Sequence, residues 1–246
     1  MKLQNHTILI TGGSTGIGLE LAKVLTEKGN TVLICGRSQE KLIEAKKQIP
    51  KLQILACDLS DKVDRDKLVK WVKTEFPQCN ILINNAGITH NTNFKGDDEI
   101  LVKAEQEIQL NLMAPIVLTK QLLPVLEQNP NPTIINVTTG LAYVPKAAYP
   151  IYNATKAALH SFTMVLRKQL EHDPIDIIEV LMTVVDTPFH NGHAPKRAIS
   201  PQKAVCEMIQ KLEKGKKEIR IDKVGLLYMI SRLSPKLAFR MINRVG

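Results

Sequence analysis

Aromatic residues make up only 4% of these 246 residues, too few for the row of stacking faces on which single-stranded nucleic acid is bound. Cysteine is scarce as well. Cys35, Cys57, Cys79 and Cys206 contain no C-x-x-C pair, which argues against a zinc site or a disulfide framework and fits a reducing, cytoplasmic setting. No uninterrupted apolar run approaches the roughly 20 residues that span a bilayer, and the early patch Ile8-Leu9-Ile10 is too short for a secretory core. Glycine and proline stand at an ordinary 13 each. With 44% hydrophobic and 23% charged residues, collagen-like, low-complexity and disordered chains are excluded. What is left is a chain long enough to bury a large core, read as one domain over residues 1–246.

The net charge of +9 is unevenly placed. Residues 1–194 carry 20 Lys/Arg against 20 Asp/Glu, whereas residues 195–246 carry 13 against 4. Such a tail reads either as a solvated helix face or as a contact for something anionic, here through 211–246. No nucleic-acid motif accompanies it, so nucleic acid is not an expected partner. Apolar residues in Val224–Ile230 and Leu237–Ile242, beside Arg and Lys, also suit an interfacial helix on a membrane surface. The alternative is that these faces pack on the domain or on another subunit.

Six short runs rich in Val, Ile and Leu (Thr7–Ile10, Thr31–Cys35, Leu52–Ala56, Asn80–Asn84, Thr133–Val137 and Asp176–Met182) read as strands buried on both faces. Amphipathic segments separate them. Gly16–Lys28 places Ile17, Leu21, Val24 and Leu25 on one face, and Asp61–Phe76 is expected to turn Val63, Leu68, Trp71 and Val72 inward. The alternation predicts an α/β, Rossmann-like doubly wound parallel sheet with helices on both faces. The stretch 188–195 has no period and reads as a surface loop or a flap. A helix over Pro201–Glu213, a strand over Lys217–Ile221 and helical segments over Val224–Asn243, broken at Pro235, complete the chain.

The first strand runs into Thr11-Gly12-Gly13-Ser14-Thr15-Gly16-Ile17-Gly18 and then a helix. Glycines let the backbone turn sharply and approach a pyrophosphate, and free amides at the helix start meet its charge. A P-loop is disfavoured because no Lys-Ser/Thr follows the last glycine. At the end of the second strand, where an acid would bind a ribose 2′-hydroxyl, the sequence reads Cys35-Gly36-Arg37-Ser38. Arg37 suits a 2′-phosphate, so NADP(H) is expected over NAD(H). Further on, Tyr152 and Lys156 lie one helical turn apart and share a face. An ammonium there is expected to lower the phenol's pKa and make it a general acid or base.

The Thr11–Gly18 loop, Asn84-Asn85-Ala86-Gly87 after the fourth strand, Asn111 and Tyr152/Lys156 together resemble the short-chain dehydrogenase/reductase family in its short, single-domain branch. The similarity covers roughly residues 5–190. Gly140-Leu141-Ala142 and Lys156-Ala157-Ala158-Leu159-His160-Ser161-Phe162 look like the bacterial oxidoreductases encoded with teichoic-acid D-alanylation genes. The family resemblance implies a seven-stranded sheet in the order 3-2-1-4-5-6-7 and hydride transfer between nicotinamide and a small carbonyl or alcohol. Tyr152 would be the proton donor or acceptor, Lys156 its partner, and Thr139, where the family has Ser, the donor to the substrate oxygen. Asn111 would hold a water on the proton path. It further implies that Gly12, Ser14, Thr15, Gly16, Ile17 and Gly18 cradle the cofactor, with Arg37 and Ser38 at the adenosine phosphate. Asp58 and Leu59 would lie at the adenine, and Asn85, Ala86 and Gly87 along the ribose. Tyr152 and Lys156 would hold the nicotinamide ribose, and Val185 and Thr187 the carboxamide. A homodimer or homotetramer is implied as well. The family's usual Pro-Gly-x-Val-x-Thr is here Met182-Thr183-Val184-Val185-Asp186-Thr187, which points to a restricted backbone, a shifted nicotinamide seat and low turnover. On that departure rests the rival expectation of a non-enzymatic dinucleotide sensor or scaffold.

Overall fold

Every residue of Thr7–Thr11 (β1) is buried, and the strand's period of two divides them between two cores. Ile8 and Ile10 enter one apolar cluster, and Leu9 enters the other. This is an interior strand of a seven-stranded parallel sheet ordered β3-β2-β1-β4-β5-β6-β7. The other strands are Thr31–Gly36 (β2), Gln53–Ala56 (β3), Ile81–Asn84 (β4), Thr133–Thr139 (β5), Asp176–Met182 (β6) and Glu218–Arg220 (β7). The computed structural model describes residues 2–190 and 195–244.

Helices cover both faces, as parallel strands require. Gly16–Glu27 (α1), Gln39–Gln48 (α2) and Pro201–Glu213 (α7) bury Leu21, Leu25, Leu42, Met208 and Leu212 in the first core. Lys62–Glu75 (α3), Ile100–Ile108 (α4), Ala114–Glu127 (α5) and Pro150–Gln169 (α6) lie along the chain between β3 and β6. Leu68 and Val72 of α3 and Leu118 and Leu122 of α5 fill the second core. Ser38, Asp61 and Ser200 cap α2, α3 and α7 by accepting the amides of Lys41, Asp64 and Lys203 at 3.2, 3.0 and 3.2 Å.

One helix face departs from expectation. Val63 is 73% exposed, while Arg65, Leu68, Val69 and Val72 are the buried residues of α3. Five residues before Leu68 is about 140° around the helix, so Val63 could not share its face. Trp71 is half-buried, edge-on to Phe76 with ring centroids 5.0 Å apart.

Between α4 and α5 the helix widens into a π turn, Gln109–Met113, with Asn111 fully buried in it. The continuous rod Ile100–Glu127 reaches bilayer length, with mean hydropathy 1.2. Leu110, Ala114, Leu118, Leu122 and Leu126 along it belong to the second core, the placement of a core helix. The chain ends in Val224–Leu233 (α8) and Pro235–Arg244 (α9), which pack on each other. Of the expected loop 188–195, Pro188–His190 form a single 3₁₀ turn. Residues 191–194 lie outside the described residues, as do 245–246 of the basic tail.

Candidate active site

Strand order reverses between β1 and β4, so the loops leaving their carboxyl ends diverge and open a crevice. Thr11, the last residue of β1, ties the two loops. Its hydroxyl oxygen accepts the amides of Asn85 and Ala86, both at 3.0 Å, and itself donates to the carbonyl of Ile83 at 3.3 Å. The Asn85 side chain returns the tie by donating to the carbonyls of Thr11 and Gly12 at 2.9 and 3.2 Å. Gly12 adopts φ 65°, and a Cβ there would stand 2.9 Å from the Cα of Ala86. Only glycine allows both the turn and that approach. Gly18 lies against the side chain of Asn85 and the Gly12 carbonyl, and Gly16 lies against Thr187.

The segments expected to cradle a dinucleotide therefore meet at this crevice. Thr15 precedes α1 in an extended conformation, makes no side-chain cap, and the first turn holds no acid. Its free amides suit an anion. Ser14 places its hydroxyl beside Gly36 at the end of β2, and Ile17 packs on the first core. Arg37 is exposed directly after β2, with no ion pair among the described residues. Ser38 beside it caps α2. Asp58 accepts the Ser60 amide at 2.9 Å and donates its own amide to Asp64 at 2.7 Å. Leu59 is buried, its carbonyl held at 2.7 Å by the buried Arg65 of α3. An uncapped helix start, a glycine turn and an unpaired cation fit a dinucleotide phosphate.

Past the glycine turn, Gly87 approaches Asn111 and Lys156. A Cβ there would lie 3.3 Å from Oδ1 of Asn111 and 3.7 Å from Nζ of Lys156. The Asn111 side chain accepts the Ile88 amide and donates to the Ile88 carbonyl, each at 2.9 Å, and reaches Oγ1 of Thr155 at 3.2 Å. The π turn is what aims this amide away from its own helix and toward α6. Lys156 is buried, donates to the Val137 carbonyl at 3.0 Å, and sits 5.9 Å from the ring centroid of Tyr152. Thr139, two residues after Val137, accepts the Leu141 amide at 3.3 Å, which leaves its own O–H free to donate.

Electrostatics correct one expectation. Burial pushes the Tyr152 phenol above its ordinary value, and Glu107 and Tyr149 add to the rise. Lys156 does not lower it. Burial drives that amine down to about 8, against the opposing pull of Glu179.

Several neighbours escaped sequence reasoning. Phe189, at the base of the 188–195 loop, faces Tyr152 with ring centroids 5.8 Å apart. The buried Glu107, one turn before Asn111, accepts the His90 amide at 2.7 Å and meets His90 Nδ1 at 2.9 Å. Thr138, Glu179 and His160 form a further polar cluster. Only the i,i+4 and i,i+8 spacing of Lys156 and His160 from Tyr152 carried a signal for any of them.

Comparison with known proteins accords with this geometry. The short chain dehydrogenase family model matches residues 6–198, and the chain belongs to that family of oxidoreductases. It is 43% identical to DltE of Bacillus subtilis, an uncharacterized oxidoreductase, across 99% of this chain and 98% of that protein. It is 31% identical to a fatty acyl-CoA reductase of Acinetobacter baylyi, over 89% of this chain and 76% of that one. Among solved structures, a Burkholderia cenocepacia short chain dehydrogenase in complex with NADP superposes with a TM-score of 0.86 at 23% identity, covering 98% and 99% of the two chains. A Burkholderia phymatum relative in complex with NAD gives 0.83 at 15% identity, covering 95% and 96%.

The Thr11 tie generates a stability prediction. Thr11→Val keeps the shape and removes the acceptor for two amides, so it should cost about 1–3 kcal/mol. Urea unfolding of the variant beside the parent measures this.

Proposed function

We propose that the protein is an NADP(H)-dependent reductase that interconverts a small carbonyl compound and its alcohol. The observation that carries this reading is the buried amine of Lys156, held on Val137 O and set beside Tyr152, Asn111 and the Gly87 backbone at the mouth of the dinucleotide crevice. When bound, NADPH supplies the hydride. The chain's residues manage position and proton. Thr139 donates its hydroxyl to the substrate oxygen. Tyr152 gives that oxygen its proton, and its raised pKa keeps it in the protonated form that reduction needs. Asn111 and Lys156 connect the phenol to solvent and orient the cofactor ribose. Phe189 beside Tyr152 shields the reacting carbon from water.

Arg37 supports NADP(H) over NAD(H), because a guanidinium with no ion pair among the described residues is ready to pair with a 2′-phosphate. Solved relatives carry either cofactor, which makes Arg37 the discriminating residue. The exposed Leu101, Val102, Ile108 and Met113 of the α4–α5 rod, with Met164 and Val165 of α6, support pairing of two copies across these helices.

A second reading, compatible with the first, concerns location: a membrane-peripheral reductase working from the cytoplasmic side. In α8 and α9, Val224 and Ala238 are buried, but Leu226, Met229, Leu233, Leu237 and Met241 are exposed, so the domain covers only part of their apolar surface. Lys223, Arg232, Lys236, Arg240 and Arg244 are exposed among them, and 223–246 contains no acid. Two copies meeting face to face would oppose like charges, whereas an anionic lipid surface matches both features.

Three outcomes test these readings. Tyr152→Phe should bind NADPH as the parent does yet lose at least about 100-fold in kcat on any carbonyl the parent reduces; an active variant contradicts the role of the phenol. The parent should bind NADPH more tightly than NADH. Arg37→Glu should weaken NADPH about 30-fold, the equivalent of about 2 kcal/mol, and spare NADH, as read by fluorescence titration. The protein should float with phosphatidylglycerol vesicles at low salt, and not with phosphatidylcholine vesicles or in molar salt.

A further inference from the structure

The first turns of α6 have a second face. Tyr152 and Lys156 share one side of the helix. Pro150, Ala154 and Ala157 lie about 140–200° around it from Tyr152, at roughly 100° per residue. On that far side they line a hollow of about 390 Å³, closed by Leu141 and Pro145 of the following loop and by Phe239 of α9.

Side chains fix the walls of this hollow to one another. Asn243 of α9 accepts the Ala147 amide at 2.7 Å and donates to the Pro145 carbonyl at 3.1 Å. Asn153 of α6 donates to the Lys146 carbonyl at 2.7 Å. Asn153 itself lines the hollow and is only 6% exposed, and its Oδ1 is buried with no hydrogen-bond partner among the described residues. An acceptor left unpaired in this way is costly, and a ligand hydroxyl would satisfy it.

Phe239 also borders an adjoining hollow of about 430 Å³, whose other walls are Lys236, Arg240, Asn243 and Arg244. Counted from Lys236, these residues stand at i, i+3, i+4, i+7 and i+8, one face of a helix. The three cations are exposed and enter no ion pair among the described residues, and 223–246 contains no acid. Each hollow falls in the range of roughly 300–1,000 Å³ that small-molecule sites occupy. An apolar hollow that opens onto a cationic one matches a ligand with an apolar tail and an anionic head.

We propose that this groove binds one molecule of a single-chain anionic lipid. The tail lies among Leu141, Ala154, Ala157 and Phe239, a hydroxyl at its polar junction donates to Asn153, and the phosphate sits among Lys236, Arg240 and Arg244. The site lies behind the catalytic pair and does not depend on the reductase reading. It shares cations with the membrane reading but needs no bilayer. The rival occupant is a second copy of the chain. Met164 and Val165, which support pairing of copies, begin ten residues beyond Ala154, about 15 Å further along α6.

The test is isothermal titration of the full-length protein with lysophosphatidylglycerol kept below its micelle concentration. The parent should bind one molecule per chain, and bind lysophosphatidylcholine at least about tenfold more weakly. Ala154→Trp, at an exposed position, fills the apolar hollow, and Arg240→Glu reverses a charge at the cationic one. Each should weaken lysophosphatidylglycerol at least about tenfold, while Lys223→Glu, the same charge change outside the groove, should not. Absence of binding overturns the proposal, as does equal affinity for the zwitterionic lipid or an unchanged affinity in folded Ala154→Trp. Displacement of the lipid by millimolar inorganic phosphate would show a bare anion site and also overturns it. So does an Ala154→Trp protein whose oligomeric state changes while its lipid affinity does not, because a second copy then covers the groove. The titration requires neither turnover nor vesicles, so loss of the reductase or the membrane reading is scored separately.

Discussion

An ammonium removed from water is the constraint around which this site is organised. Taking a lysine amine into a dry interior costs several kcal/mol unless polar partners replace its hydration. The chain supplies a carbonyl from β5 and the face of a tyrosine ring. The carbonyl is a consequence of unequal strand length. β4 ends at Asn84, paired with Asn136, so from Val137 onward β5 has no partner strand on that side and a side chain can reach its carbonyl. The same early ending of β4 sends Asn85, Ala86 and Gly87 across toward β1, where they form a wall of the crevice. Cradle and proton site thus share one structural cause.

Much of this was legible because it is written in local sequence. Continuous apolar runs gave parallel strands, buried on both faces except for the half-buried edge strand β3, and glycine spacing after β1 gave the turn. The four-residue interval between Tyr152 and Lys156 placed them on one helix face. Each such reading depends on a period or a turn within about ten residues. Glu179, His160, Glu107 and His90 were not legible, since each is a contact between elements far apart in the chain. Glu179 in particular sits in a run, Asp176–Met182, whose apolar content argued only for a strand. Val63 was misplaced because its hydrophobicity was counted without its angle on the helix. The direction of the Tyr152 shift failed for a different reason. Sequence shows that a lysine is near, but not that burial lowers the lysine and raises the phenol at once.

The stretch after β6 shows how a departure from a family pattern can be absorbed. Replacement of Pro-Gly by Met182-Thr183 pointed to a restricted backbone. Yet among the described residues the only non-glycine positions with positive φ are Asn5, Asn131 and Asp222, so the replacement adds no left-handed strain. Met182 instead extends β6, pairing with Thr139 and entering the first core. The chain is then recaptured by a single bridge from Val185 to Ile199. The Ile199 amide donates to Val184 at 3.1 Å, and the Ile199 carbonyl accepts Asp186 at 2.8 Å. That bridge delivers Thr187 against Gly16, where a Cβ on the glycine would lie 3.1 Å from the threonine. The loop is fixed here by a strand-like contact that sets Thr187 at the glycine turn and buries Val185 in the first core. The departure from the family sequence thus brings no left-handed backbone between Met182 and Thr187.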